Sequence, residues 1–169
     1  MRKSILTLFT ALFSLAVFAQ NDQMVKHNGE KLEVKVIKVG ETTIAYKYPG
    51  EDAEQTIGKY AVASIKYGGS GRKETISQKI VVNGKSDWEN VVILTDKSQV
   101  IGLKEGEAVR GKTSGMISYQ TAGSADKKAT RKIKEAAAED VAPFVLLTSD
   151  KSDGFGVKQS VKNGVAYSY

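Results

Sequence analysis

The chain has 169 residues, 41% hydrophobic and 26% charged, with 25 Lys+Arg against 19 Asp+Glu. This is the composition of a globular protein, not of a disordered or collagen-like one. With no Cys, a disulfide scaffold, a thiolate zinc site, a Cys nucleophile and a lipid anchor on an N-terminal Cys are all excluded.

Residues 1–19 read as a secretory signal peptide. Arg2 and Lys3 form a basic start, residues 5–18 carry no charge, and Val17-Phe18-Ala19 ends on a small residue. The apolar run is shorter than the roughly 20 residues of a membrane helix. Cleavage is expected before Gln20, which makes residues 20–169 a periplasmic or secreted chain without a lipid anchor. No second apolar segment of spanning length is present. Loss of Arg2 and Lys3 lowers the net charge from +6 to +4, and the remaining charges of both signs are interleaved. Nucleic-acid binding needs basic residues gathered on one face, so no nucleic-acid partner is expected.

Residues 20–84 read as a β-rich module. Leu32, Val34, Val36 and Val39 alternate with charged residues, with one slip of phase near Ile37. Ile44, Tyr46 and Tyr48 alternate in the same way, as do residues 62–67. Period two with β-branched and aromatic residues marks half-buried antiparallel strands. Asn28-Gly29, Gly40-Glu41, Pro49-Gly50 and the glycine-rich residues 68–71 separate them; Asn-Gly is expected to make a two-residue hairpin. The spacing predicts a small SH3- or Sm-like barrel or a bent sheet. About sixty residues bury little surface, so this module should lean on the C-terminal half of the chain.

Residues 85–169 read as an α/β module of βαββ type. Residues 91–94 predict a strand buried on both faces, and residues 100–103 a second. Gly102, Gly106, Gly111 and Gly115 are expected to break the next stretch into turns. The helix is expected over residues 124–140, with Ser124 as N-cap and an apolar stripe of Ala129, Ile133, Ala136 and Ala137 narrow enough to lie close on a sheet. Its charges oppose the helix dipole, so it should depend on packing. Pro143 ends it. Residues 144–147 predict a buried strand, and residues 157–161 and 165–169 a hairpin around Asn163-Gly164. The whole is α+β.

Chemistry-bearing motifs are few. Residues 106–113 fit the P-loop pattern literally, with Lys112 and Thr113 in the phosphate and magnesium positions. A P-loop needs a helix to start at once, and the residues after Thr113 read as extended or looped. His27, beside an Asn-Gly turn, is the only imidazole for a catalytic triad and reads as an exposed turn residue. Asp150 and Asp153 before Gly154-Phe155-Gly156 resemble a loose calcium loop without EF-hand spacing, so they read as solvated carboxylates. The tyrosines at 46, 48, 60, 67, 167 and 169 read as cross-strand packing. Neither a cofactor nor a metal site is expected, and no carboxylate pair is marked out for hydrolysis. The remaining feature is a basic helix face. Lys127, Arg131 and Lys134 share one side, flanked by Lys128 and Lys132, and could meet an anionic surface.

Two stretches carry a resemblance. Asp22 to Val25, Asn28-Gly29, Ile44-Ala45-Tyr46-Lys47 and Ile65-Lys66-Tyr67-Gly68 resemble a module of exported proteins of the Bacteroidetes type. Asp87-Trp88-Glu89, Val100 to Leu103, the Ala-rich helix and Val145-Leu146-Leu147 are similar to small α/β envelope proteins. These include the stress-sensing lipoprotein of the enteric Rcs system and small proteins named as heavy-metal binders. The chain lacks the sensor's cysteines and the binders' ligands, so neither disulfide nor metal binding carries over. The expectation is an exported, non-catalytic cell-envelope protein. Its partner would be an envelope protein, a lipid head group or a glycan, met by a sheet edge or the basic helix face. The alternatives are a nucleotide or carboxylate-based hydrolase, or a small-ligand carrier.

Overall fold

A computed structural model describes residues 21–113, 122–153 and 159–169. Residues 1–19, expected to be a signal peptide, lie outside these residues. The fold is α+β, with two sheets and one long helix.

The first sheet is built from β1 (Asp22–Lys26), β2 (Lys31–Val39), β3 (Thr43–Lys47), β4 (Glu54–Gly58), β5 (Val62–Lys66) and β6 (Lys73–Thr75). Its order is β4-β3-β2-β1-β5-β6, antiparallel throughout. It does not close into a barrel; the bent-sheet form of the expectation holds. β2 pairs with β1 through its first half and with β3 through its second, and the slip of phase at Ile37 is a β-bulge. The bulge puts Ile37 outside while Val34 stays fully buried, since one extra residue reverses the facing of every later side chain. Met24, Val34, Ile44, Ile57, Val62 and Ile65 form the core beneath.

The Asn28-Gly29 turn is a residue longer than expected. Gly29 alone has a left-handed φ of 93°; its N–H donates to the Lys26 carbonyl, and Lys26 N–H to the Glu30 carbonyl. That closes a three-residue loop of His27, Asn28 and Gly29. Asp22 ties the start of the sheet. Its carboxylate accepts from Val36 N–H and Gly68 N–H, each at 2.9 Å, bridging the strands on both sides of β1.

The second sheet has the order β7-β9-β10-β8, from β7 (Val92–Leu94), β8 (Lys104–Lys112), β9 (Phe144–Asp153) and β10 (Gln159–Ser168). Only β7–β9 is parallel. Helix α1 (Ala122–Glu139) connects β8 to β9 and packs across β8 and β10. Ala125, Ala129, Ile133 and Ala137 are buried along its inner face. The contact is close enough that a Cβ on Gly111 would sit 2.1 Å from the Ala129 carbonyl oxygen. Small residues on both sides permit this approach, as the stripe predicted.

Four expectations fail here. The helix begins at Ala122, so Ser124 lies inside it rather than capping it. Residues 100–103 are no strand. Asp96 and Gln99 form a capping box that winds Lys97–Val100 into a 3-10 turn, and Gly102 reverses the chain at φ 87°. Gly106 and Gly111 do not break the chain but lie within the nine-residue β8; Gly115 lies outside the described residues. Nor does Asn163-Gly164 form a hairpin turn: β10 continues through it, with a shift of register against β9 at that point, and the β9–β10 connection lies outside the described residues.

The two sheets share an apolar seam. Leu94, Phe144, Leu146 and Tyr167 pack with Tyr60, Leu103 and Tyr169. Gly58 N–H donates to the Ile101 carbonyl at 2.9 Å, and the Tyr169 hydroxyl accepts from Ile80 N–H at 2.9 Å. Tyr60, Tyr167 and Tyr169 are taken up in this seam, and Tyr46, Tyr48 and Tyr67 in the core of the first sheet.

Candidate functional site

The basic residues of α1 meet a second element, the 3-10 segment Lys85–Asn90. Three contacts fix that segment, two to residues 81–83 just before it and one to the helix. Asp87 Oδ2 accepts from Asn83 N–H at 2.9 Å, Asn90 Nδ2 donates to the Val81 carbonyl at 3.3 Å, and Lys85 Nζ holds Glu139 at 2.7 Å. Trp88, the only tryptophan of the chain, is thereby laid half-buried beside the helix. Trp88, Lys127, Lys128, Thr130, Arg131 and Lys134 line an open groove of about 410 Å³. Carbon dominates its lining, which the Trp88 ring and the long aliphatic stems of lysine and arginine can supply.

The five basic residues then divide by role. Arg131 stacks over the Trp88 ring, 5.1 Å from its centroid, and its Nε holds Glu135 at 2.6 Å. Lys132 turns away from the groove and donates to the Lys112 carbonyl at 2.8 Å, which fastens the helix to β8. Lys127, Lys128 and Lys134 edge the groove and form no ion pair among the described residues. Of the expected strip, four residues share one site and Lys132 does not. Trp88 was missed as a site residue, although a lone tryptophan between Asp87 and Glu89 is a signal in itself.

The catalytic motifs take other forms. The P-loop pattern takes another form: Gly106 to Lys112 lie in the extended backbone of β8, paired with β10, and not in a loop wrapped round an anion. Gly111 is there for helix packing, and Thr113 closes onto β10, its N–H donating to the Ser160 carbonyl at 3.1 Å. His27 is half-buried rather than exposed, tilted against Tyr169 with ring centroids 4.8 Å apart. Burial, then the charge of Lys79, hold its pKa below the ordinary value. Its Nε2 lies 2.8 Å from Ser77 Oγ. The Ser77 hydroxyl donates to the Val62 carbonyl at 2.8 Å, so the imidazole donates to Ser77. A serine nucleophile needs the opposite polarity.

Two carboxylates do converge, on a lysine. Lys162 Nζ, on a side chain only 7% exposed, contacts Asp126 at 2.9 Å and Asp150 at 2.5 Å. The ammonium fills the space that water would need between a hydrolytic pair. Burial lowers the Lys162 pKa, but the hydrogen bonds to Asp126 and Asp150 outweigh it and the net shift is upward. Asp150, expected as a solvated turn carboxylate, is instead an ion-pair partner within β9; the Asp153 side chain and Gly154-Phe155-Gly156 lie outside the described residues. Among the described residues, no group of three His, Asp or Glu side chains could hold a metal ion. No helix among them is long and apolar enough to cross a membrane.

No family model, curated protein or solved structure matches the chain.

Proposed function

We propose that this is an exported, non-catalytic protein of the cell envelope that binds an anionic partner at the Trp88 groove. The observation that carries the reading is the pairing of an apolar groove with three lysines, Lys127, Lys128 and Lys134, that have no ion pair among the described residues. A basic strip that serves only solubility has no need of an aromatic floor. The non-catalytic part rests on the polarity of the His27–Ser77 contact and on the lysine that occupies the Asp126–Asp150 pair. The exported part rests on the three-part leader.

Two measurements test it. The intact mass of the protein recovered from its own cells should correspond to a chain starting at Gln20; retention of residues 1–19 in a cytoplasmic fraction overturns export. Sedimentation with isolated envelope fragments should fall with rising salt and should be lost in Lys127→Gln/Lys128→Gln/Lys134→Gln. Sedimentation unchanged by the three substitutions overturns the site.

A further inference from the structure

We infer that the occupant of the Trp88 groove is the anionic surface of a phospholipid bilayer, an inference that rests on the binding reading above. Trp88 and the aliphatic stems would face the acyl boundary, with Lys127, Lys128 and Lys134 on the phosphates.

Three features favour a bilayer over other anionic partners. The first is the lack of hydrogen-bonding complement. The groove is bounded by a helix whose mid-segment N–H and C=O groups are spent on their own turns, so an extended peptide laid along it would find no backbone partners there. Lipid tails ask for no such partners. The second is the state of the aromatic ring. A sugar stacks on an open ring face, whereas one face of Trp88 is covered by Arg131 at 5.1 Å. The indole edge remains, with an apolar body and one N–H, the arrangement that favours tryptophan at membrane interfaces. The third is the spacing of charge. Lys127 and Lys134 are seven residues apart on one helix, about 10 Å along its axis. Cations spread over that length meet several head groups at once and are poorly arranged to converge on one free phosphate. Of the acids on the same helix, Glu135 is held by Arg131 and Glu139 by Lys85.

The lone tryptophan lies in the groove, so its own fluorescence reports the event. The chain from Gln20 onward is titrated with vesicles of phosphatidylglycerol and phosphatidylcholine, and with phosphatidylcholine alone. The expected result is a blue shift on the anionic vesicles only, reversed by salt. Each lysine near an anionic surface contributes about fivefold, so Lys127→Gln/Lys128→Gln/Lys134→Gln should weaken partitioning about a hundredfold. Far-ultraviolet circular dichroism should show the helix intact in that variant. An unchanged spectrum on anionic vesicles overturns the inference, as does equal binding to both vesicle types or by the variant. A shift with polyglutamate but not with vesicles names an acidic polypeptide instead. Lysine-dependent sedimentation with envelope fragments but no vesicle binding leaves the site reading standing and removes the lipid; failure of both removes the site as well.

Discussion

The guanidinium of Arg131 lies over the Trp88 ring and at the same time holds Glu135, one helical turn along. One side chain thus joins the 3-10 segment to the helix and shields part of the indole. A stacked cation at an exposed site contributes about 0.5–1 kcal/mol, and an i,i+4 ion pair about 0.3–0.5. Arg131→Met should therefore cost about 1 kcal/mol in urea unfolding and change the emission of Trp88 in the folded state. A loss confined to stability, with unaltered emission, would show that the stack is not formed in solution.

Gly111 lies beneath the Ala129 carbonyl, where an added Cβ would approach to 2.1 Å. The obstacle is helix backbone, which cannot move without shifting α1 as a whole. Gly111→Ala should destabilise by about 3 kcal/mol, at the upper end for overpacking. Lys112→Ala, at an exposed side chain, should stay within about 0.5 kcal/mol. Neither wild type nor variant should show heat on titration with ATP and magnesium. A nucleotide signal abolished by Lys112→Ala would restore the phosphate-loop reading.

Val141 ends the helix with φ 56°, the one non-glycine residue with positive φ among the described residues. Its N–H donates to the Ala138 carbonyl at 3.1 Å, and Ala142 N–H to the Ala137 carbonyl at 2.9 Å. These are the bonds of a Schellman cap, whose left-handed position is normally glycine. The valine is 54% exposed, so its burial returns little. Val141→Gly should stabilise by about 1 kcal/mol, read as a higher thermal midpoint. A lower midpoint would mean that the side chain contributes more through packing than the backbone strain costs.

Alkaline pH should unfold the protein, and Lys162 and Tyr46 are two of the groups that act in that direction. The Lys162 pKa is raised in the fold, so its ammonium stabilises below the ordinary lysine value and the contribution is lost as pH climbs through the folded one. The Tyr46 pKa is pushed up to about 12, by burial first and then by its contact with Tyr48. The folded state therefore resists forming that phenolate, and stability falls as pH rises from the ordinary tyrosine value of 10 towards 12. Urea midpoints should drop steeply over that range. The drop should be shallower in Lys162→Met, and the Tyr46 phenolate should appear in the ultraviolet spectrum only on unfolding. Equal slopes in wild type and Lys162→Met would remove Lys162 from the account.

Much of the first sheet was legible because its strands are buried on one face, which imposes period two. Even the bulge at Ile37 shows as a slip of phase. β4 escaped notice, since Glu54, Gln55 and Thr56 are all exposed and only Ile57 and Gly58 turn inward. β6 has three residues and no apolar one, so it has no pattern to read. β10 misled for a different reason. Asn163-Gly164 reads as a hairpin turn, yet Ser160, Lys162, Gly164 and Ala166 form one buried row along a continuous strand. Helix α1 comes so close over this strand that only small side chains fit beneath it. The one long chain, Lys162, reaches out to Asp126 and Asp150.

Read alone, the sequence determined what depends on near neighbours: the turns at Gly29 and Pro49-Gly50, the alternation of β2 and β3, and the Ala stripe of α1. Backbone sterics and one-sided burial act over a few residues and leave their period in the chain. Only the tertiary structure decided which groups face one another across long separations. It set Trp88 against Arg131, Lys132 against the Lys112 carbonyl, and Gly111 against Ala129. Such pairings are selected by shape and charge after elements pack, and sequence spacing carries no record of them.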